Sequence, residues 1–255
     1  SKRFAPPGQI ETFQKQLDAM IDNLAALDYL TRAGDGDHVT LHDTIEGLLV
    51  FRSIDPLYGA FLASELAYSN FEEKLQALES VLESPPRIAR LAGVPHTVEP
   101  GPLETERLKP LLTQMGLLGS GAPAHGEDEE EEAEDWWAEE EERPPRFPEM
   151  LKLLFDSKLA APEEIFVQPK WIAGGVIERD CDFFGFVKAA DLVKQEGLIL
   201  RHLLRLVIMA GEFDERTGDP EYRRISEMST RACQAVDPAY TDKFLAEAVA
   251  MRQAQ

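Results

Sequence analysis

The stretch Ile10–Leu41, IETFQKQLDAMIDNLAALDYLTRAGDGDHVTL, changes its periodicity midway. Ile10, Phe13, Leu17, Ile21, Leu24 and Leu27 recur at steps of three and four, which predicts one apolar helical face. Tyr29-Leu30-Thr31 then reads as a short strand and Gly34-Asp35-Gly36-Asp37 as turn chemistry. His38-Val39-Thr40-Leu41 reads as the returning strand. A helix followed by a small hairpin is how a winged helix ends, with the hairpin as its wing.

Downstream, the pattern is helical. Helices are expected over Asp43–Arg52 and Pro56–Ala67, then over Phe71–Leu82 behind an Asn70 cap, with Leu75, Leu78, Val81 and Leu82 facing inward. Pro85-Pro86 breaks the pattern. Leu103–Leu118 is one more helix, kinked or broken at Pro110. Ile165–Ile172 is apolar and suits either a short strand or a packed loop. Further helices are expected at Phe183–Gln195, Leu198–Glu212, Glu221–Val236 and Thr241–Gln253. The fold class expected is mainly α, a helical bundle with a small winged-helix-like β hairpin near the N-terminus.

The net charge of −21 is concentrated in one tract. Between Glu127 and Glu142 lie 12 acidic residues and no basic one, so 26 basic residues face 35 acidic ones elsewhere. The tract is flanked by Gly119-Ser120-Gly121 and by Pro144, Pro145 and Pro148. Such a composition offsets little of its ordering entropy by burial. The expected organisation is therefore 1–118, the end of a winged helix plus a helical segment; 119–148, an acidic disordered linker; and 149–255, a C-terminal helical domain. An acidic surface does not attract nucleic acid as a whole, so any RNA contact needs a local basic face.

Two cysteines, Cys181 and Cys233, make no disulfide framework and fit a cytoplasmic protein. The N-terminus is too poor in apolar residues for a signal peptide. The chain starts at Ser1 rather than Met, as a piece of a longer protein would. Gly197–Ala210, the most apolar stretch, is interrupted by Arg201, His202 and Arg205 and reads as a buried amphipathic helix, not a membrane span.

Catalytic motifs are wanting. No Gly-Lys pair occurs, so no phosphate loop of the Walker A type is present and ATP hydrolysis is not expected of this chain. Asp128–Glu131 follows no apolar strand and reads as part of the charge run. Asp35, Asp37 and His38 lack the distal carboxylate of a calcium loop and read as a solvated turn. Cys181 stands between Asp180 and Asp182, carboxylates that discourage a thiolate. Neither a catalytic residue nor a metal ligand is expected.

Two features invite partners. Trp136-Trp137, inside the acid tract, forms either a docking motif for a basic protein or a pair that packs back on the domain. Arg201 and Arg205, four residues apart, share one face of a helix whose other side carries Leu203, Leu204 and Val207, with His202 between them. That face suits either a phosphate backbone or salt bridges to neighbouring acids.

Two segments resemble superkiller-like DExH-box RNA helicases. The first is Leu24-Ala-Ala-Leu-Asp-Tyr-Leu-Thr31, followed by Val39-Thr-Leu-His-Asp-Thr-Ile-Glu-Gly47 and Asp55-Pro-Leu-Tyr-Gly-Ala-Phe-Leu-Ala-Ser-Glu-Leu66. It is similar to the family's winged helix passing into a helical domain. The second, Glu196-Gly197-Leu-Ile-Leu-Arg201-His-Leu-Leu-Arg205-Leu, resembles the start of a long helix in the family's C-terminal helical domain. Asp28 stands where the family has a glycine before the wing tyrosine. Leu41-His42 displaces a basic residue after the wing threonine, and the acid tract has no family counterpart. The resemblance implies a non-catalytic accessory region that guides single-stranded RNA leaving a motor. The two RecA-like motor domains, with their ATP and Mg, would lie outside this chain. It also implies that Gly197 opens the helix, and that Arg201, the motif arginine, and Arg205, one turn on, face RNA, with His202 beside them.

Overall fold

The structure, a computed structural model, describes residues 7–33, 38–118, 143–161 and 164–253. Helix α1 (Pro7–Ala26) leads into β1 (Leu30–Arg32) and β2 (Val39–Leu41). The strands pair antiparallel, Leu30 opposite Leu41 and Arg32 opposite Val39. The hairpin is thus present near the N-terminus of a mainly helical chain. Asp28 adopts φ 62°, the left-handed region that favours glycine. His42 holds that turn: its Nδ1 lies 2.8 Å from the Asp28 carbonyl oxygen and its Nε2 2.8 Å from Thr31 Oγ1. The residues at 28 and 42, both departures from the helicase pattern, are therefore in contact with each other.

The apolar face read along α1 divides in two. Leu24 and Leu27 pack on the core, but Ile10, Phe13 and Leu17 are exposed. Asp43–Val50 is a 3-10 helix rather than an α-helix.

Helix α2 (Pro56–Glu65) starts at an Asp55 cap, whose side chain accepts from Tyr58 N at 2.9 Å, with Pro56 at the first helical position. Helix α3 (Phe71–Ser80) opens with a reciprocal capping box. Asn70 Oδ1 accepts from Glu73 N at 2.9 Å, and Glu73 Oε2 accepts from Asn70 N at 3.1 Å. A short α4 (Pro86–Leu91) follows, so the proline pair that ends one helical pattern also begins another. Leu103–Leu108 forms a π-helical stretch running into α5 (Lys109–Gln114). The wider turn accommodates Pro110, which lacks an N–H and whose ring would crowd a regular helix.

Beyond 142 come α6 (Phe147–Lys158), α7 (Ile172–Ile177), α8 (Phe183–Ala189), α9 (Glu196–Thr217), α10 (Pro220–Val236) and α11 (Pro238–Gln253). Residues 164–171 are a packed, non-helical crossing. Gly218, at φ 69°, ends α9 in the left-handed conformation, and Asp219 with Pro220 starts α10 at once, so the two helices form a hairpin. One buried cluster joins both sides of the acidic segment: Leu75, Leu78 and Leu82 pack in the same core as Leu151, Phe155, Leu203 and Phe213.

At the centre lies α3, which touches α6, α7, α9 and α10. Its polar residues Glu73, Lys74, Gln76 and Glu79 are buried along with its leucines. Each charge there has partners supplied from far along the chain. Glu73 accepts from Glu104 N at 2.8 Å and Leu103 N at 3.3 Å. Lys74 pairs with Glu221 and, at 3.1 Å, with Asp219. Glu79 accepts from Ala173 N and sits 3.1 Å from His202 Nε2.

Against this hub, Trp171 lays its indole on Gly174 of α7. A Cβ at Gly174 would lie 2.0 Å from the indole Cε2. The indole is 4% exposed and its Nε1 donates to Glu178 at 2.8 Å, so it has nowhere to retreat. Gly174→Ala is expected to destabilise the fold by about 1–3 kcal/mol, the usual range for overpacking. Urea denaturation checks this, and an unchanged midpoint would refute the close approach.

Candidate nucleic-acid interface

A cleft of about 520 Å³ opens between three walls: the first turns of α9, the α3–α4 junction and the crossing segment before α7. From α9 come Leu198, Ile199, Arg201, His202 and Arg205; from the junction, Glu83 to Pro86 and Ile88. Phe166 and Gln168 form the third wall. That segment is anchored by main-chain bonds, Gln168 N to Ser80 O at 2.8 Å and Trp171 N to Ala92 O at 2.7 Å.

The helical repeat of α9 sorts its side chains. Ile199, Leu203, Leu206 and Ala210 are buried, and Arg201 and Arg205 are exposed on the cleft rim. Neither arginine makes an ion pair or hydrogen bond with another described residue. Some other cations are matched, Arg223 with Asp214 at 3.0 Å, and Lys158 and Arg107 with Glu65 at 2.9 and 3.2 Å, while Arg90, Lys188 and Lys194 are, like this pair, without an ion pair among the described residues. Of the two uses read from the sequence for this face, the salt-bridged one is therefore not seen among the described residues.

His202 is placed differently from its neighbours. It is 5% exposed and lies on the same side of α9 as Ile199 and Leu206, at the cleft floor. Its Nε2 faces Glu79 Oε1 at 3.1 Å, and its Nδ1 is 3.5 Å from Ser84 Oγ. With Nε2–H donating to the carboxylate, Nδ1 is left to accept from the Ser84 hydroxyl. Burial lowers the His202 pKa, against the upward pull of Glu79, so the ring adds no positive charge to the rim at neutral pH.

This serine–histidine–glutamate series resembles a nucleophile relay only in residue types. The 3.5 Å contact is long, and Pro85 and Pro86 deny the following positions the N–H groups that an oxyanion hole would use.

Lys170 is fully buried beside this series. Its Nζ donates to Gln168 O at 3.1 Å and lies 5.7 Å from the Phe166 ring centre. Burial pulls its pKa from 10.5 down to about 8, with Glu79 opposing and Arg205 reinforcing the shift. Nothing in the composition or periodicity singled out Lys170, Glu79 or Ser84; a lysine between Pro169 and Trp171 in an apolar run was the one available cue.

These shifts give stability a sign with pH. The unfolded chain protonates His202 near its ordinary 6.5 while the folded chain resists, so stability falls as pH drops below about 6.5. Between about 8 and 10.5 the folded chain releases the Lys170 proton while the unfolded chain keeps it, so stability rises with pH across that window. Each slope is at most about 1.4 kcal/mol per pH unit. Urea melts from pH 5 to 9.5 should show the first rise directly. The raised pKa values of Cys181 and Cys233 make stability fall with pH around their ordinary 9.0, so the Lys170 rise is read as the parent-minus-Lys170→Met difference, which should climb from pH 8 to 9.5; a flat or falling difference would contradict the assignment.

Trp136, Trp137 and the acid tract lie outside the described residues, as do Asp35 and Asp37. Cys181 and Cys233 are buried free thiols. Burial raises both pKa values, that of Cys233 to about 12, and Asp180 adds to the effect at Cys181. No group of three or more potential metal ligands occurs among the described residues, and no helix among them is long and apolar enough to cross a membrane. Comparison with protein-family models, curated proteins and solved structures finds no match to this chain.

Proposed function

We propose that this chain is a non-catalytic accessory module of an RNA helicase, holding single-stranded RNA against the Arg201–Arg205 face of α9. Its motor domains, with ATP and Mg, would be carried elsewhere. One observation carries the reading: two guanidiniums, one helical turn apart and without ion-pair or hydrogen-bond partners among the described residues, stand on the rim of a cleft in a chain of net charge −21. Unpaired cations on an acidic protein are sites for an anion, and two in a row suit a phosphate backbone. The resemblance of the Glu196–Leu206 segment to the helicase helix points to the same two residues. The Asp28–His42 contact adds support, since it keeps the wing's turn in a conformation that the family's glycine would take.

A cleft lined by exposed Phe166 and Leu198 suits unstacked bases rather than a duplex groove. Fluorescence anisotropy with a labelled RNA 12-mer and its duplex tests this. The single strand should bind more tightly, and duplex binding of equal strength would contradict the reading. If no RNA binds and a basic peptide is held through Trp136-Trp137, the chain is a protein-recruiting module instead.

A further inference from the structure

Resting on the RNA reading, we infer that the cleft is a pocket for one nucleotide of the strand. In it Phe166 stacks the base and Gln168 with Glu83 selects bases that carry an exocyclic amine. A volume of about 520 Å³ matches a small-molecule pocket, not a groove for a long strand. Arg201 and Arg205, about 6 Å apart along α9, are spaced to hold phosphates on either side of that nucleotide.

Phe166 is 43% exposed at the cleft wall, and the buried Lys170 ammonium lies against its ring. The exposed part of the ring is left for a base. Floor residues Ile88, Ile172 and Ile199 are apolar, as a stacked base requires.

Of the buried acceptors without a donor among the described residues, that of Gln168 lies in the cleft lining. Its main-chain N–H and carbonyl are fixed by Ser80 and Lys170, yet its side-chain Oε1 is buried without a donor among the described residues. An orphaned acceptor of this kind costs about 1–3 kcal/mol, and in a cleft wall it points to a missing partner. Turning the amide toward the cleft relieves the deficit when a ligand brings an N–H. Glu83, also in the cleft lining, is a second acceptor. Two acceptors favour amine-bearing bases, and uracil is the one RNA base with no exocyclic amine. Cytosine against uracil is the clean comparison, because the rings are equal in size and differ at that edge.

The experiment is anisotropy with C10, A10 and U10 oligonucleotides on the full chain. C10 and A10 should bind at least five-fold more tightly than U10, within the discrimination expected of one base-edge contact. Gln168→Leu should bring C10 to the U10 affinity while leaving thermal stability unchanged or raised, since it removes an orphaned acceptor. Phe166→Ala should weaken all three oligonucleotides by roughly five-fold or more. If the three bind equally and depend on Arg201 and Arg205 but not on Phe166 or Gln168, the pocket is refuted and the RNA reading stands. If none binds, both fall.

Discussion

Glu79→Ala is expected to destabilise the fold by about 3–5 kcal/mol, the range for removing one partner of a buried charge pair. The carboxylate is fully buried at the end of α3, where it accepts from Ala173 N and from His202 Nε2. It also provides the attraction that offsets the burial of Lys170. Alanine would leave two donors without an acceptor and a buried ammonium without a counter-charge. Against a domain stability of about 5–15 kcal/mol, that loss is large. Glu79→Gln keeps an acceptor and loses only the charge, so it should fall between alanine and the parent. The double replacement Glu79→Leu with Lys170→Met removes both charges and should recover much of the loss. A Glu79→Ala protein with a parental urea midpoint would show that α3 is not the polar hub described above.

The hub is also where the sequence was least legible. Long helices were readable because α9 and α10 repeat their apolar residues over four or more turns, and the hairpin was readable from its turn residues. The six-residue helices α4 and α7 are too short to show a period. Helix α3 hides its role differently. Its sequence carries Glu73, Lys74, Gln76 and Glu79, which argue for a solvated face. All four are buried, and the partners of Glu73, Lys74 and Glu79 arrive from Leu103–Glu104, Asp219–Glu221, and Ala173 with His202. A single sequence does not reveal pairings over such separations.

The candidate site was half legible. The four-residue spacing of Arg201 and Arg205 placed both on one exposed face, as found. His202 is next to Arg201 in sequence, but it belongs to the series Ile199, His202, Leu206, whose spacing turns inward, and that spacing was the cue available. Phe166 and Gln168 could not be assigned, because Ile165–Ile172 has no periodicity and its position depends on main-chain bonds to Ser80 and Ala92.

The central claim is that Arg201 and Arg205 hold RNA phosphates, and the salt dependence of binding tests it most directly. Each phosphate neutralised on a single strand contributes about 0.7 to the slope of log affinity against log salt. Arg201→Ala with Arg205→Ala should therefore bind a single-stranded RNA at least tenfold more weakly at low salt, with a slope shallower by roughly 1.4. Both side chains are exposed and without protein partners among the described residues, so the fold should be unaffected and the change confined to binding. A double variant with the parental affinity and slope across the titration would contradict the account.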